Sequence, residues 1–250
     1  MLLLLFFSWV TLTLSMDIIV PAYFYPEGKG LKYWNDLAVT ASSGQVPLVV
    51  VINPESGPGK SLDQDYADIN LKVRKAGAKT IGYIYSLYGK RPYADFVADV
   101  KAYMKWYAVD GFFIDEMSDN LNTLAYYRSL YSYIKSVNPN LVVINNPGTT
   151  IPQNFLTSRV ADRFMIYESS QKSYTSYSQQ SWQSNYPPET FIHLVYNATA
   201  SQMTTDIKFA KGKGIGGIYI TDDKLPNPYE TLPSYWNQEV SVVQNINTSG

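Results

Sequence analysis

The chain has 250 residues, 46% hydrophobic and 16% charged, which suits a single globular domain with a core large enough to stand alone. Its 20 Lys and Arg against 21 Asp and Glu leave a net charge of -1, so there is no broad positive field to draw in a phosphate backbone, and the balance argues against a nucleic-acid partner. The absence of Cys excludes a disulfide framework and thiolate chemistry, while 22 Tyr suit half-apolar, half-wet surfaces such as carbohydrate grooves.

The chain opens "MLLLLFFSWVTLTLSMD", an apolar run from Leu2 to Leu14 followed by small residues near Ser15. This reads as a secretory signal peptide over residues 1–15, with the domain occupying 16–250. The run is too short for the roughly 20 apolar residues of a membrane span. The leader therefore predicts a secreted protein, extracellular or held in a cell wall; a monomer is expected.

Beyond the leader, β-branched and aromatic runs recur in order: Asp17–Pro26, Val46–Pro54, Lys79–Ser86, Gly111–Met117, Leu141–Gly148, Arg163–Ser169, Phe191–Asn197 and Gly217–Asp223. Helical periodicity falls between them, at Asp63–Ala76, Tyr93–Ala108, Thr123–Val137, Ser201–Lys211 and Tyr235–Ile246. The crossover 149–162 carries the weakest helical pattern. Near-continuous apolar strands imply a parallel sheet covered by helices. Eight such units in about the usual ~250 residues predict a (β/α)8 TIM barrel forming one domain, with an open doubly wound sheet as the rival. "GKGIGG", Gly212–Gly217, precedes the eighth strand instead of following one, so it reads as an αβ turn at the bottom of the barrel and not as a dinucleotide loop.

In a barrel of this type, active sites form where strands end and βα loops begin. Here those ends are polar: Tyr23 and Tyr25, Asn53, Tyr83 and Tyr85, Asp115 and Glu116, Asn145 and Asn146, Tyr167 and Glu168, Tyr196 and Asn197, and Thr221 with Asp222 and Asp223. Asn53 before Pro54 and Asn146 before Pro147 fit a loop-starting role equally well. A carboxylate at the end of a buried strand is costly unless solvated, paired or used, which singles out Asp115, Glu116, Glu168, Asp222 and Asp223. The one His, His193, sits in mid-strand as a core residue, so neither a Ser-His-Asp triad nor a His/Cys zinc site is expected. Asp222 and Asp223 read as a solvated loop more readily than as a Ca²⁺ or Mg²⁺ site. No metal and no cofactor is expected.

Carboxylates acting alone in a secreted, Tyr-rich barrel point to glycoside hydrolysis, in which one acid protonates the departing oxygen and the other attacks the sugar or activates water. Asp115 and Glu168 would face each other across the mouth; a gap of ~5 Å predicts retention, one above ~6.5 Å inversion. Because successive strand residues face opposite sides, Asp115 and Glu116 both reach the axis only if the chain turns between them. Two sequons, at Asn197 and Asn247, offer glycosylation sites, Asn247 being the better placed in an apparent polar tail.

Taken together, "IIVPAYFYP", "VVVINPESGPG", "IGYIYSLYG", "GFFIDEM", "FMIYES" and "GGIYITDD" make the chain similar to the spherulin-4-like proteins, named from spherulation, or encystment, in slime moulds and widespread in fungi. The resemblance implies a (β/α)8 glycoside hydrolase acting on α-1,4-linked N-acetylgalactosamine or galactosamine stretches of galactosaminogalactan, an extracellular polysaccharide, during wall or matrix remodelling in encystment or sporulation. It places the key acids on Asp115, Glu116 and Glu168, with Asp115 as nucleophile, Glu168 as acid/base and Glu116 tuning charge or binding sugar; the first and third assignments are exchangeable. Endo action with retention is expected. Tyr23, Tyr25, Tyr83, Tyr85, Tyr167, Tyr196, Asn53, Asn145 and Asp222 are the expected sugar contacts. The alternative is a non-catalytic coat protein that binds polysaccharide in the same groove. A metal-dependent deacetylase lacks its His ligands.

Overall fold

The computed structural model describes residues 15–249. Among them, eight strands close into a parallel barrel in sequence order: β1 Asp17–Ala22, β2 Leu48–Ile52, β3 Lys79–Tyr85, β4 Gly111–Asp115, β5 Val142–Asn145, β6 Arg163–Ser170, β7 Phe191–Tyr196 and β8 Gly217–Ile220. Closure is made by β1 pairing β8, with Asp17 beside Gly217 and Ile18 beside Ile218. The rival open sheet is thereby excluded. Strand β2, "LVVVI", is buried at every position, as a strand covered on both faces must be.

Outside the barrel run α1 Gly28–Ser43, α2 Gln64–Lys75, α3 Tyr93–Trp106, α4 Leu124–Val137, α5 Asn154–Thr157, α6 Gln171–Tyr174, α7 Ala200–Gly212 and α8 Trp236–Thr248. The weak fifth crossover is a single turn, α5. The C-terminal tail is not a tail, because α8 carries the helix through Thr248. The predicted signal peptide lies outside the described residues, apart from Ser15. No helix among the described residues is long and apolar enough to cross a membrane.

Two packing features set the barrel's ends. At the bottom, Arg163 at the start of β6 makes a bidentate pair with Asp17 at the start of β1, at 2.5 and 2.8 Å. A Cβ on Gly217 would come within 2.6 Å of that guanidinium, so the glycine leaves room for the bridge. The rest of "GKGIGG" lies at this bottom end, where Gly214 takes a φ of 66° after α7 and a Cβ on Gly216 would strike Glu189 at 2.6 Å. At the top, the ends of β3, β4 and β6 bring Tyr83, Asp115 and Glu168 together.

Candidate active site

Strand β4 delivers Asp115 to the top of the barrel, and the chain then turns at once. Glu116 has a φ of 53°, a left-handed conformation that is uncommon for a residue with a side chain and usually held by its surroundings. The holding contacts are visible: the Glu116 carbonyl accepts from Ser86 Oγ at 2.8 Å and from the Tyr88 N–H at 2.9 Å. The Ser86 N–H donates to the Asp115 carbonyl at 2.9 Å, and the Met117 N–H to the Asn146 carbonyl at 2.9 Å. Asp115 is the last residue of β4 and Glu116 the first beyond it, so a bend separates the two adjacent acids.

Asp115 is bound at both oxygens. Tyr83, from β3, donates its hydroxyl to Oδ2 at 2.8 Å, and Asn146, just beyond β5, donates Nδ2 to Oδ1 at 2.8 Å. The same Asn146 nitrogen donates to Oε2 of Glu168, on β6, at 2.6 Å. Glu168 Oε1 accepts the hydroxyl of Tyr229, from the β8–α8 segment, at 2.6 Å. The amide is oriented by the Gly148 N–H, which donates to Asn146 Oδ1 at 2.8 Å, leaving the NH₂ to face both acids. Both bonds leave one nitrogen, so the two carboxylate oxygens stand no more than about 5.4 Å apart.

The electrostatics are those of two acids that no Lys or Arg among the described residues pairs with. Burial pushes the Asp115 carboxyl above its ordinary range, opposed by the Glu116 N–H, Tyr83 and Asn146. Glu168 is also raised, first by burial and then by the negative charge of Asp115, opposed by Tyr229 and Asn146. The ionised form of Asp115 therefore holds the proton on its neighbour, which sets the two acids apart in order of ionisation. Glu116 is half-buried, and its Oε2 has no hydrogen-bond partner.

The other sequence candidates disperse. Tyr23 stands between the two tyrosine donors, edge-on to Tyr83 and to Tyr229 at 5.7 Å each. Tyr25 leaves the site: its hydroxyl binds Asp63 and Asp65 at the start of α2, at 3.2 and 3.0 Å. Asn53 closes its own loop by accepting the Gly57 N–H at 2.9 Å. The Tyr85 ring lies under Arg91 at 4.2 Å.

Asn145 does not join the acids. It is fully buried and donates to the Val160 carbonyl at 3.3 Å; one residue on, Asn146 has the opposite facing and reaches them. Tyr167 likewise faces away from its neighbour Glu168, packing on Tyr174 and His193 at 4.8 and 5.6 Å. Tyr196 is half-buried at the end of β7. Asp222 fastens its own segment, accepting the Ser234 N–H at 3.0 Å and the Ser234 hydroxyl.

His193 is buried as expected, with Nδ1 on the Tyr174 hydroxyl at 2.8 Å, although Nε2 has no partner. The sequons change places in merit. Asn197 is exposed, whereas the Asn247 amide grips both backbone groups of Met16 at 2.7 and 2.9 Å. A cavity of about 590 Å³ opens between α1 and the β8–α8 segment, lined by Tyr33, Asp36, Asp222 and Trp236 among others, and neither acid lines it. Among the described residues, no group of three or more His, Cys, Asp or Glu side chains is disposed to hold a metal ion.

Tyr229 was invisible to sequence reasoning. It lies in "TDDKLPNPYETLPSYW", a segment without periodicity. Only the folding of that segment back over β1, through the Tyr23 N–H to the Tyr229 carbonyl at 3.2 Å, brings it to Glu168.

The chain is 30% identical to spherulin-4 of Physarum polycephalum over 244 residues, covering 93% of this chain and 71% of that one. Its fold matches the crystal structure of Aspergillus clavatus Sph3 in complex with GalNAc with a TM-score of 0.78 at 22% identity, covering 92% of this chain and 98% of the other. A GH18 chitinase of Cycas revoluta in complex with allosamidin matches more distantly, with a TM-score of 0.52 at 11% identity over 94% and 99% of the two chains. The closed eight-stranded barrel is thus shared with both structures. The family model described as spherulation-specific family 4 matches residues 17–243, and with it the identity to spherulin-4 establishes that this chain belongs to that family.

Proposed function

We propose that the protein is a secreted, endo-acting glycoside hydrolase that cleaves α-1,4-linked N-acetylgalactosamine or galactosamine polymer with retention, in remodelling of a wall or matrix. The observation that carries this reading is the single Asn146 nitrogen binding Asp115 at 2.8 Å and Glu168 at 2.6 Å. That arrangement supports the shorter carboxyl separation of retaining enzymes, ~5–5.5 Å, over the ~6.5–9.5 Å of inverting ones. The GalNAc held in the Aspergillus clavatus Sph3 crystal structure supports the sugar class.

In this scheme Glu168, the later of the two to ionise, gives its proton to the glycosidic oxygen while Asp115 attacks the anomeric carbon. The leaving chain departs as an alcohol and a glycosyl ester forms on Asp115. Glu168, now ionised, takes a proton from water, whose oxygen attacks the same carbon and frees Asp115. Glu116, beside the bend with a buried Oε2, adds negative charge next to Tyr83.

The test is incubation of the purified chain with acetylated and deacetylated galactosaminogalactan fragments, with products identified by mass spectrometry and their initial anomeric form by NMR. Retained configuration is expected. Asp115→Asn should lower turnover by roughly 10³-fold or more, and Glu168→Gln by about 10²–10⁴-fold, with polymer binding preserved. A wild-type chain that binds these polymers but releases no reducing ends overturns the hydrolase and leaves the coat-protein reading.

A further inference from the structure

We propose that Tyr83 and Tyr229 form a matched pair of positioning residues, each hydroxyl holding one carboxylate at the oxygen that Asn146 does not take, so that the two acids are adjusted separately. The proposal rests on the two-carboxylate reading above and adds to it a division of labour among the groups around the acids.

The geometry is symmetrical in kind. Asn146 takes Oδ1 of Asp115 and Oε2 of Glu168. Tyr83 takes Oδ2 of the first at 2.8 Å, and Tyr229 takes Oε1 of the second at 2.6 Å. Each acid thus has one shared side-chain tie and one private side-chain tie, and Asp115 also has the Glu116 N–H. The private donors come from segments distant in sequence, β3 and the β8–α8 segment, and Tyr23 stands edge-on to both rings at 5.7 Å. Tyr83 is backed by Phe113, its ring stacked at 6.3 Å. Tyr229 is backed by its own segment, pinned by the Thr231 hydroxyl on Asp223 and by Ser234 on Asp222.

The groups facing the acids are few. Asp115 meets Tyr83, Asn146 and the Glu116 N–H, while Glu168 meets Asp115, Tyr229 and Asn146. Tyr23 feels the charge of both acids, and Glu116 acts on Tyr83. Among the described residues, no Lys or Arg forms an ion pair with either acid. With no cation, these neutral donors are what favours the charged carboxylates against burial. Burial and the adjacent carboxylates hold both phenols protonated far above neutral pH, so they remain donors throughout the working range. Asn146 serves both acids and cannot distinguish them; the hydroxyls can.

The experiment is the pH dependence of kcat/KM for Tyr83→Phe and Tyr229→Phe on galactosaminogalactan fragments. The acidic limb follows ionisation of Asp115 and the basic limb loss of the Glu168 proton. Tyr83→Phe is expected to move the acidic limb up by about one pH unit and leave the basic limb in place; Tyr229→Phe should move the basic limb up by about one unit and leave the acidic limb. Limbs that move together, or not at all, overturn the pairing.

The same two shifts are readable without turnover, by ¹³C NMR titration of Asp115 and Glu168 in carboxyl-labelled protein. A chain with no hydrolase activity therefore still tests the pairing, and the loss of the functional reading is told apart from the loss of this one. Where a Phe variant has no cooperative melt, site-specific 3-fluorotyrosine, a stronger donor of nearly the same shape, should move the corresponding limb or titration down. An unmoved value again overturns the proposal.

Discussion

Glu239 shows what a single buried acid does to this protein apart from any catalysis. Fully enclosed on α8, it accepts the Ile220 N–H on Oε1 at 2.8 Å, while Oε2 has no partner. Burial pushes its carboxyl up to about 8, so at neutral pH it is held as the acid. A raised carboxylate means that the folded chain keeps a proton which the unfolded chain has released, so stability is fully present below about pH 4.5 and falls as pH rises towards 8. The linked loss approaches roughly 4–5 kcal/mol above pH 8. Glu239→Gln keeps the acceptor for Ile220 and removes the titration. Urea denaturation at pH 5, 7 and 9 should show the wild type losing stability across the series and the variant losing much less. Asp206, raised by burial to about 6, adds a slope of the same sign that the variant retains. Equal slopes in the two proteins would show that Glu239 is not the titrating group.

At the scale of elements, small residues and caps decide where the barrel's walls sit. Gly82 on β3 faces Tyr103 of α3, and a Cβ there would come within 2.8 Å of the ring. Tyr103 is itself fully buried, with its hydroxyl on the Ile52 carbonyl at 3.2 Å, so the ring cannot withdraw without losing that bond. Gly82→Ala should therefore destabilise by about 1–3 kcal/mol, measured by thermal melting. It should also lower activity, since β3 carries Tyr83 as its next residue. Helix α7 begins with a capping box, in which Thr199 accepts the Gln202 N–H and Gln202 reaches back to the Thr199 N–H at 2.9 Å. Thr199 is the third residue of the Asn197 sequon, so one hydroxyl serves both the helix start and the acceptor motif. Thr199→Ala is expected to cost about 1 kcal/mol while leaving turnover unchanged, and chemical denaturation alongside the activity assay checks both halves.

At the scale of the whole molecule, the Arg163–Asp17 pair joins strands 146 positions apart in sequence across the bottom of the barrel. Both side chains are largely enclosed, at 12% and 16% exposure, so truncating either strands the other. Arg163→Ala alone should cost about 3 kcal/mol or more, and the double variant with Asp17→Ala less than the two single costs combined; a double-variant cycle by denaturation reads the coupling directly. This pair also marks where sequence reading stops. The eight strands, their parallel pairing and the two acids at the ends of the fourth and sixth were legible, because apolar runs, polar breaks and alternation of elements are local patterns repeated along the chain. The choice between Asn145 and Asn146 was not: it depends on which face each residue takes in the register of β5 with β4, where a shift of one residue reverses inside and outside. The turn at Glu116, the arrival of Tyr229 over the mouth and the capture of Met16 by Asn247 were equally out of reach. Each depends on contacts between segments distant in sequence, and only closure of the barrel brings those segments within hydrogen-bonding distance.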